Sequence, residues 1–259
     1  MLHFFAGGLD MFTLDDEKQL HRLMNENSDN YMLIQKLLDF QQLTISKISH
    51  EIRNPLTLIS STLQLIQKQH PEVTHFAYWK QMLEDISFMK TLLEELSLYN
   101  NGTRLHKTVI HTTDFFNRLI LSFATTLTES SIELTSNIEQ NLPNIAGDPI
   151  KLQEALLNLL TNARDAVKPD GKIYFSAQSK DESIILHIKD NGCGIPQSHL
   201  SDIFTPFTTY KENGTGLGLA IVKAVTEAHH GTVYVKSIPF HSTSFTLTLP
   251  IQDKCEKDS

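Results

Sequence analysis

Cysteine, long apolar runs and positive charge are all scarce in this sequence of 259 residues. Two cysteines, Cys193 and Cys255, cannot form a disulfide framework and fit a reducing compartment, so a cytoplasmic setting is expected. No apolar stretch approaches the ~20 residues that cross a bilayer; the nearest at the start, Leu2 to Leu9, contains a glycine pair and runs into Asp10. No membrane span is therefore expected. The same stretch lacks the basic start and cleavage site of a signal peptide. Lys and Arg number 22 against 30 Asp and Glu, a net charge of −8 that opposes attraction to nucleic acid or anionic lipid. What is present is 40% hydrophobic residues, enough for one large or two modest cored domains.

Residues up to about 30 read as a leader or signalling linker. Beyond them Ile45, Ile48, Ile52, Ile59, Leu63 and Ile66 recur at helical spacing, which predicts one long helix to Gln69 with these residues on its apolar seam. Met82, Ile86, Met89, Leu93 and Leu96 predict a second helix, ending at Asn100-Asn101-Gly102. The short Pro71-bearing connector makes the pair antiparallel, and one apolar seam left half-covered predicts dimerisation into a four-helix bundle. After Gly102 short alternating segments interleave with helical ones, so a second, α+β domain is expected over 103–252, after a helical domain over 31–102 and before a polar tail over 253–259. Strands are predicted at 105–110, 132–138, 172–178, 183–189, 232–236 and 244–249. Helices are predicted at 114–128, at 149–167 after an Asp148 cap with Pro149 at the first position, and at 217–229.

Three constellations carry chemistry. Ser49-His50-Glu51-Ile52-Arg53-Asn54-Pro55 lies within the first helix, with His50 two residues from both Ile48 and Ile52 and so turned to solvent. Glu51 and Asn54 bring a carboxylate and an amide within reach of the imidazole, and Pro55 is expected to kink or loosen the helix just beyond. A lone surface histidine usually has no role, but this one is not alone. Glu154, Asn158, Asn162 and Asp165 share one helix face at steps of four, four and three. A solvated stripe has that spacing too, yet asparagine is a poor helix former, and paired amide carbonyls suit a hard cation such as Mg2+ beside phosphates. Third, Asp190-Asn191-Gly192-Cys193-Gly194 follows a strand, and Gly214-Thr215-Gly216-Leu217-Gly218-Leu219 opens a helix, where free N–H groups favour phosphate. The spacing fits neither the Walker loop nor the dinucleotide fingerprint. Between them Phe204 to Asn213 reads as a flap with Phe204 and Phe207 as anchors and Lys211 as its cation.

In this order these stretches resemble the sensor histidine kinases of two-component signalling: a phosphoacceptor box around His50, an N box Asn158-Leu-Leu-Thr-Asn162-Ala, a first glycine box Asp190-x-Gly192-x-Gly194, a phenylalanine box and a second glycine box. The likeness spans about residues 35 to 250 and is greatest to sporulation and nitrogen-regulation kinases. It implies an α+β chain: a dimerising helical hairpin, then an α/β sandwich ATP-binding domain of the gyrase, chaperone and histidine-kinase type. It further implies ATP and Mg2+ as cofactors, a homodimer, and a response-regulator receiver as partner. By resemblance His50 is the phosphorylated nucleophile, Glu51 the base on its other ring nitrogen, and Asn54 the residue orienting water for dephosphorylation of the regulator. Asp190 takes the adenine amino group, with Gly192 and Gly194 beside it; Asn162 holds Mg2+ and Asn158 lines the phosphate site. Gly214, Thr215, Gly216, Leu217 and Gly218 wrap the phosphates under the flap residues Phe207 and Lys211.

The sequence departs from that pattern in two places. Asp165 stands where many relatives carry Lys, which leaves Lys211 or Lys223 to supply a phosphate-facing cation, and Tyr210 separates Thr209 from Lys211 in the flap. Two alternatives differ in class. An ATP hydrolase of the same nucleotide fold needs a Glu four residues before the metal-binding Asn, where this chain has Asn158. An ATP-binding scaffold or phosphotransfer module without kinase activity would keep the boxes for fold alone.

Overall fold

The computed structural model describes residues 19, 22–24, 27–102, 104–211 and 214–251. Most of the expected leader, the polar tail and Cys255 lie outside them. The chain falls into two units, 1–51 and 52–259. Helix α1, Ser28–Gln69, supplies the described part of the first from Ser28 on and opens the second. The helix runs through Pro55 without the break that a proline invites.

A 3-10 turn, Pro71–His75, joins α1 to α2, Trp79–Asn101, which ends at the predicted Gly102. The apolar residues of this hairpin form two series of seven-residue steps, not one seam. Leu56, Leu63 and Leu93 are buried, whereas Ile52, Ile59, Met82 and Met89 are exposed, as is Ile48 in the first unit. The single seam expected from Ile48, Ile52 and Ile59 is thus corrected. Spacing of three and four gives a helix two adjacent apolar rows, and one antiparallel neighbour covers only one of them.

After the hairpin come β1 Thr108–Ile110, α3 Thr112–Thr125, β2 Glu133–Ile138, β3 Ile145–Gly147, α4 Pro149–Ala166, β4 Lys172–Lys180, β5 Ser183–Asp190, α5 Gly218–Ala228, β6 Thr232–Ile238 and β7 Ser242–Pro250. A five-stranded sheet has the order β2-β4-β5-β7-β6, parallel at β2–β4 and antiparallel elsewhere, while β1 and β3 form a separate pair. Strict alternation puts Phe245, Leu247 and Leu249 on the covered sheet face, matched by Ile173 and Phe175 and by Ile184, Leu186 and Ile188 on neighbouring strands. Against them pack Phe116, Leu119 and Phe123 of α3, Leu152, Leu156, Leu159 and Leu160 of α4, and Ile221 and Val225 of α5. The α4 cap is as predicted: Asp148 Oδ1 accepts from Ile150 and Lys151 N–H at 3.1 and 3.2 Å. Strand β1 begins three residues later than expected, and β3 was not predicted.

Candidate functional site

In the first unit Ser49 is fully buried and donates to the Ile45 carbonyl at 2.8 Å, as serine inside a helix commonly does. His50 follows it and is exposed, while Glu51 faces Lys47 at 3.9 Å with both side chains largely in solvent. The outward turn expected for His50 is present, but its reason is the buried Ser49 row and not a seam through Ile48 and Ile52. In the second unit Asn54 is exposed on the following turn.

The remaining candidate residues gather around α4. Glu154, Asn158 and Asn162 are half-buried on the predicted common face, with Asp165 more exposed at its end. Burial pushes the Glu154 carboxyl up from its ordinary value, against the Lys151 charge that lowers it. At the C-terminal end of α4, Cys193 N–H donates to the Ala166 carbonyl at 3.0 Å, which brings the first glycine box against the helix. Asp190 there is buried, with Oδ1 accepting from Gly192 N–H at 2.8 Å. Burial raises its pKa, and backbone bonds from Gly192 and Thr243 oppose that rise. Gly194 has φ +66°, a conformation glycine adopts without strain.

The second glycine box meets the other end of the same face. A side chain on Gly218, the first residue of α5, would lie 3.2 Å from Asn158 Oδ1, so the loop and the N box are in direct apposition. Gly216 has φ +73° and its backbone abuts that of Phe207 and Thr208. Thr215 donates to Glu95 of α2 and accepts from Leu217 N–H at 3.3 Å, while Leu217 itself is fully buried. Gly214 is half-buried beside them.

The flap has one aromatic anchor rather than two. Phe204 packs edge-on against Phe245, ring centroids 6.4 Å apart. Phe207, with φ +62°, is exposed. The positive φ turns the chain at Phe207, and its ring leaves the core. Tyr210 stacks on His199 at 3.6 Å and donates to Asp202 Oδ2 at 2.9 Å. Lys211 reaches back to α4: its Nζ donates to Asn162 Oδ1 at 2.9 Å and to Asp165 Oδ2 at 3.1 Å. Of the two lysines the sequence offered, Lys211 meets the N box; Lys223 pairs with Glu227 at 3.9 Å.

Two linked groups escaped the sequence reading. His229, buried at the end of α5, accepts from Asp148 N–H on Nε2 at 2.9 Å and holds the Val225 carbonyl on Nδ1 at 2.7 Å. Asp148 Oδ2 in turn accepts from His106 N–H at 2.9 Å, and Lys151 Nζ donates to the Asn101 and Arg104 carbonyls. The end of α2 and the segment after it are thereby fastened to the start of α4. No sequence pattern marks such ties, since Asp148 and His229 are 81 positions apart.

Two family models match the chain. Residues 40–103 match the His Kinase A (phospho-acceptor) domain, and residues 147–253 match the histidine kinase-, DNA gyrase B- and HSP90-like ATPase domain. Among curated proteins, the signal transduction histidine-protein kinase AtoS of Escherichia coli is 32% identical over 79% of this chain and 34% of its own length. Sporulation kinase D of Bacillus subtilis is 31% identical over 93% of this chain and 46% of its own. The chain thus spans about a third to a half of the length of these relatives. Among solved structures, full-length ShkA in complex with AMPPNP superposes with a TM-score of 0.68 at 22% identity, over 80% of this chain and 45% of that one, a likeness of fold.

Proposed function

Because this chain belongs to the sensor histidine kinases of two-component signalling, we propose that it autophosphorylates His50 with ATP and passes the phosphoryl group to an aspartate of a response regulator. The observation that carries this reading is convergence: the N box, both glycine boxes and the flap cation all meet on one face of α4. Such an arrangement suits a nucleotide held by its phosphates at the start of α5, where unpaired helix N–H groups favour anions. Asp190, buried at the opposite end, suits an adenine amino group as acceptor.

In this reading one imidazole nitrogen of His50 attacks the terminal phosphorus, the bond from that phosphorus to the bridging oxygen breaks, and ADP departs. Glu51 accepts the N–H of the other ring nitrogen and so orients the nucleophile. The transition state is loose, so positioning and charge neutralisation supply most of the acceleration. Asn158 lines the phosphate site, with Gly192, Gly194, Gly214, Thr215, Gly216, Leu217 and Gly218 forming the loops around the nucleotide and Phe207 and Lys211 the flap. Mg2+ fits the donor set: Asn162 Oδ1 already receives a cationic donor, and Glu154 on the same helix adds negative charge. Bound there, Mg2+ would neutralise developing charge between the outer phosphates. Asn54, an exposed amide one turn past His50, is suited to orienting water for dephosphorylation of the regulator. The catalytic domain runs over 103–252 and the phosphoacceptor hairpin over 31–102, and the hairpin's uncovered apolar rows favour a homodimer.

Incubation with γ-labelled ATP tests the reading. The wild-type chain is expected to acquire label that survives alkali and is lost in acid, as a phosphoramidate does, and His50→Gln to acquire none while still binding nucleotide. Labelling of His50→Gln at the wild-type level overturns the assignment.

A further inference from the structure

The ammonium of Lys211 occupies an unusual place. It donates to Asn162 Oδ1 at 2.9 Å, the oxygen to which the proposed function gives the metal, and to Asp165 Oδ2 at 3.1 Å. Asp165 lies one turn beyond Asn162 on α4, so the two acceptors stack on one face and define a two-point seat for a single cation. The other oxygen of Asp165, Oδ1, is taken by Arg164 at 3.1 Å, which leaves Oδ2 to Lys211. Lys211 itself comes from the flap, at a distance of 46 positions in sequence from Asp165.

A metal ligated by the Asn162 carbonyl would sit about 2 Å from that oxygen. The ammonium and the metal would then be a few ångströms apart on one acceptor, carrying three positive charges between them, and like charges that close repel. Both cannot hold Oδ1 at full strength. Asp165 offers the ammonium a second partner to which it can retreat without leaving the site.

We propose that Lys211 and Mg2+ are alternative occupants of Asn162 Oδ1, with Lys211 holding the place in the nucleotide-free protein and Asp165 acting as the residue that positions its ammonium. This deepens the proposed function and rests on its assignment of Asn162 as the metal ligand. The consequence is antagonism between flap cation and metal. Lys211 supports nucleotide binding when Mg2+ is absent, and Mg2+ contributes less than it otherwise would because it must displace the lysine. By linkage the effect is reciprocal. Asp165 acts through Lys211 and has no further part in it.

The test reads binding, not turnover. Dissociation constants of AMPPNP are measured calorimetrically on the whole chain, once in excess EDTA and once in saturating Mg2+, and their ratio gives the enhancement by metal. Lys211→Ala is expected to raise that ratio about fivefold, a modest factor because both side chains are substantially exposed and screened. Asp165→Asn is expected to raise it in the same direction by less, and Lys211→Ala with Asp165→Asn to match Lys211→Ala alone. A lysine that merely touches phosphate would weaken both constants equally and leave the ratio unchanged, which would overturn the proposal. So would an effect of Asp165→Asn that persists in full without Lys211, since that marks a structural role. Wild-type protein that binds AMPPNP under neither condition would overturn the nucleotide reading, and this inference with it.

Discussion

His229 shows how one buried side chain sets a pH dependence for the whole catalytic domain. Its Nε2 must remain unprotonated to accept from Asp148 N–H, since protonation would set two donors against each other. Burial holds its pKa below the ordinary histidine value, opposed by the Val225 carbonyl bond and the Asp148 charge, with Lys107 and Lys151 lowering it further. The folded state therefore binds fewer protons than the unfolded chain. Stability should be full above pH ~6.5 and fall as pH drops below it, by up to about 1.4 kcal/mol per pH unit while His229 alone titrates. Thermal midpoints from pH 7.5 to 5.5 are expected to show that slope in the wild type, and a smaller one in His229→Gln, whose amide oxygen can accept without titrating. The same slope in both would remove His229 from the account. At this scale the sequence was legible where a residue acts with near neighbours: the Asp148 cap and the Asn158 and Asn162 face follow from local spacing, whereas the exposure of His50 was expected from a seam through Ile48 and Ile52 that the fold leaves exposed. The ties of His229 to Asp148, Lys211 to Asp165 and Thr215 to Glu95 do not, because each joins segments distant in the chain.

The helical hairpin carries the second prediction. Ile52 and Ile59 on α1, and Met82 and Met89 on α2, each repeat at seven residues and are 36–49% exposed, whereas Leu56, Leu63 and Leu93 in the adjacent rows are buried. A hairpin that hides one row and shows the other suits the proposed pairing with a second copy into a four-helix bundle. Each such side chain buried against a partner contributes ~1.5–3 kcal/mol gross, and a twofold axis counts it twice. Replacing both Ile59 and Met89 by Glu should therefore weaken self-association by more than tenfold, as measured by sedimentation equilibrium, without unfolding α1 or α2. A wild-type chain that sediments as a monomer at micromolar concentration contradicts the bundle. The periodicity of these helices was plain in the sequence, but not which row faces inward, because both rows read as apolar. Strand β3 stayed hidden for a different reason. Its three residues, Ile145–Gly147, are too few to show alternation, and its partner β1 lies across α3 and β2.

At the scale of the molecule the fold class was legible because each half has its own grammar, heptads before Gly102 and alternating strands with capped helices after it. The flap was the least legible part. Its Phe207 takes a left-handed backbone that periodicity does not register, and the side chains of Tyr210 and Lys211 are held by His199, Asp202, Asn162 and Asp165, all distant in the chain or off the helical period. The proposed kinase activity depends on the terminal phosphate of a nucleotide gathered at α4 reaching the imidazole of His50. The most direct measurement is tandem mass spectrometry, at neutral to alkaline pH, of the chain after incubation with Mg-ATP. The account predicts one phosphorylated peptide with the phosphoryl group on His50, absent when Asp190 is replaced by Asn. Phosphate on Ser49, Thr57 or another histidine with His50 unmodified would contradict it.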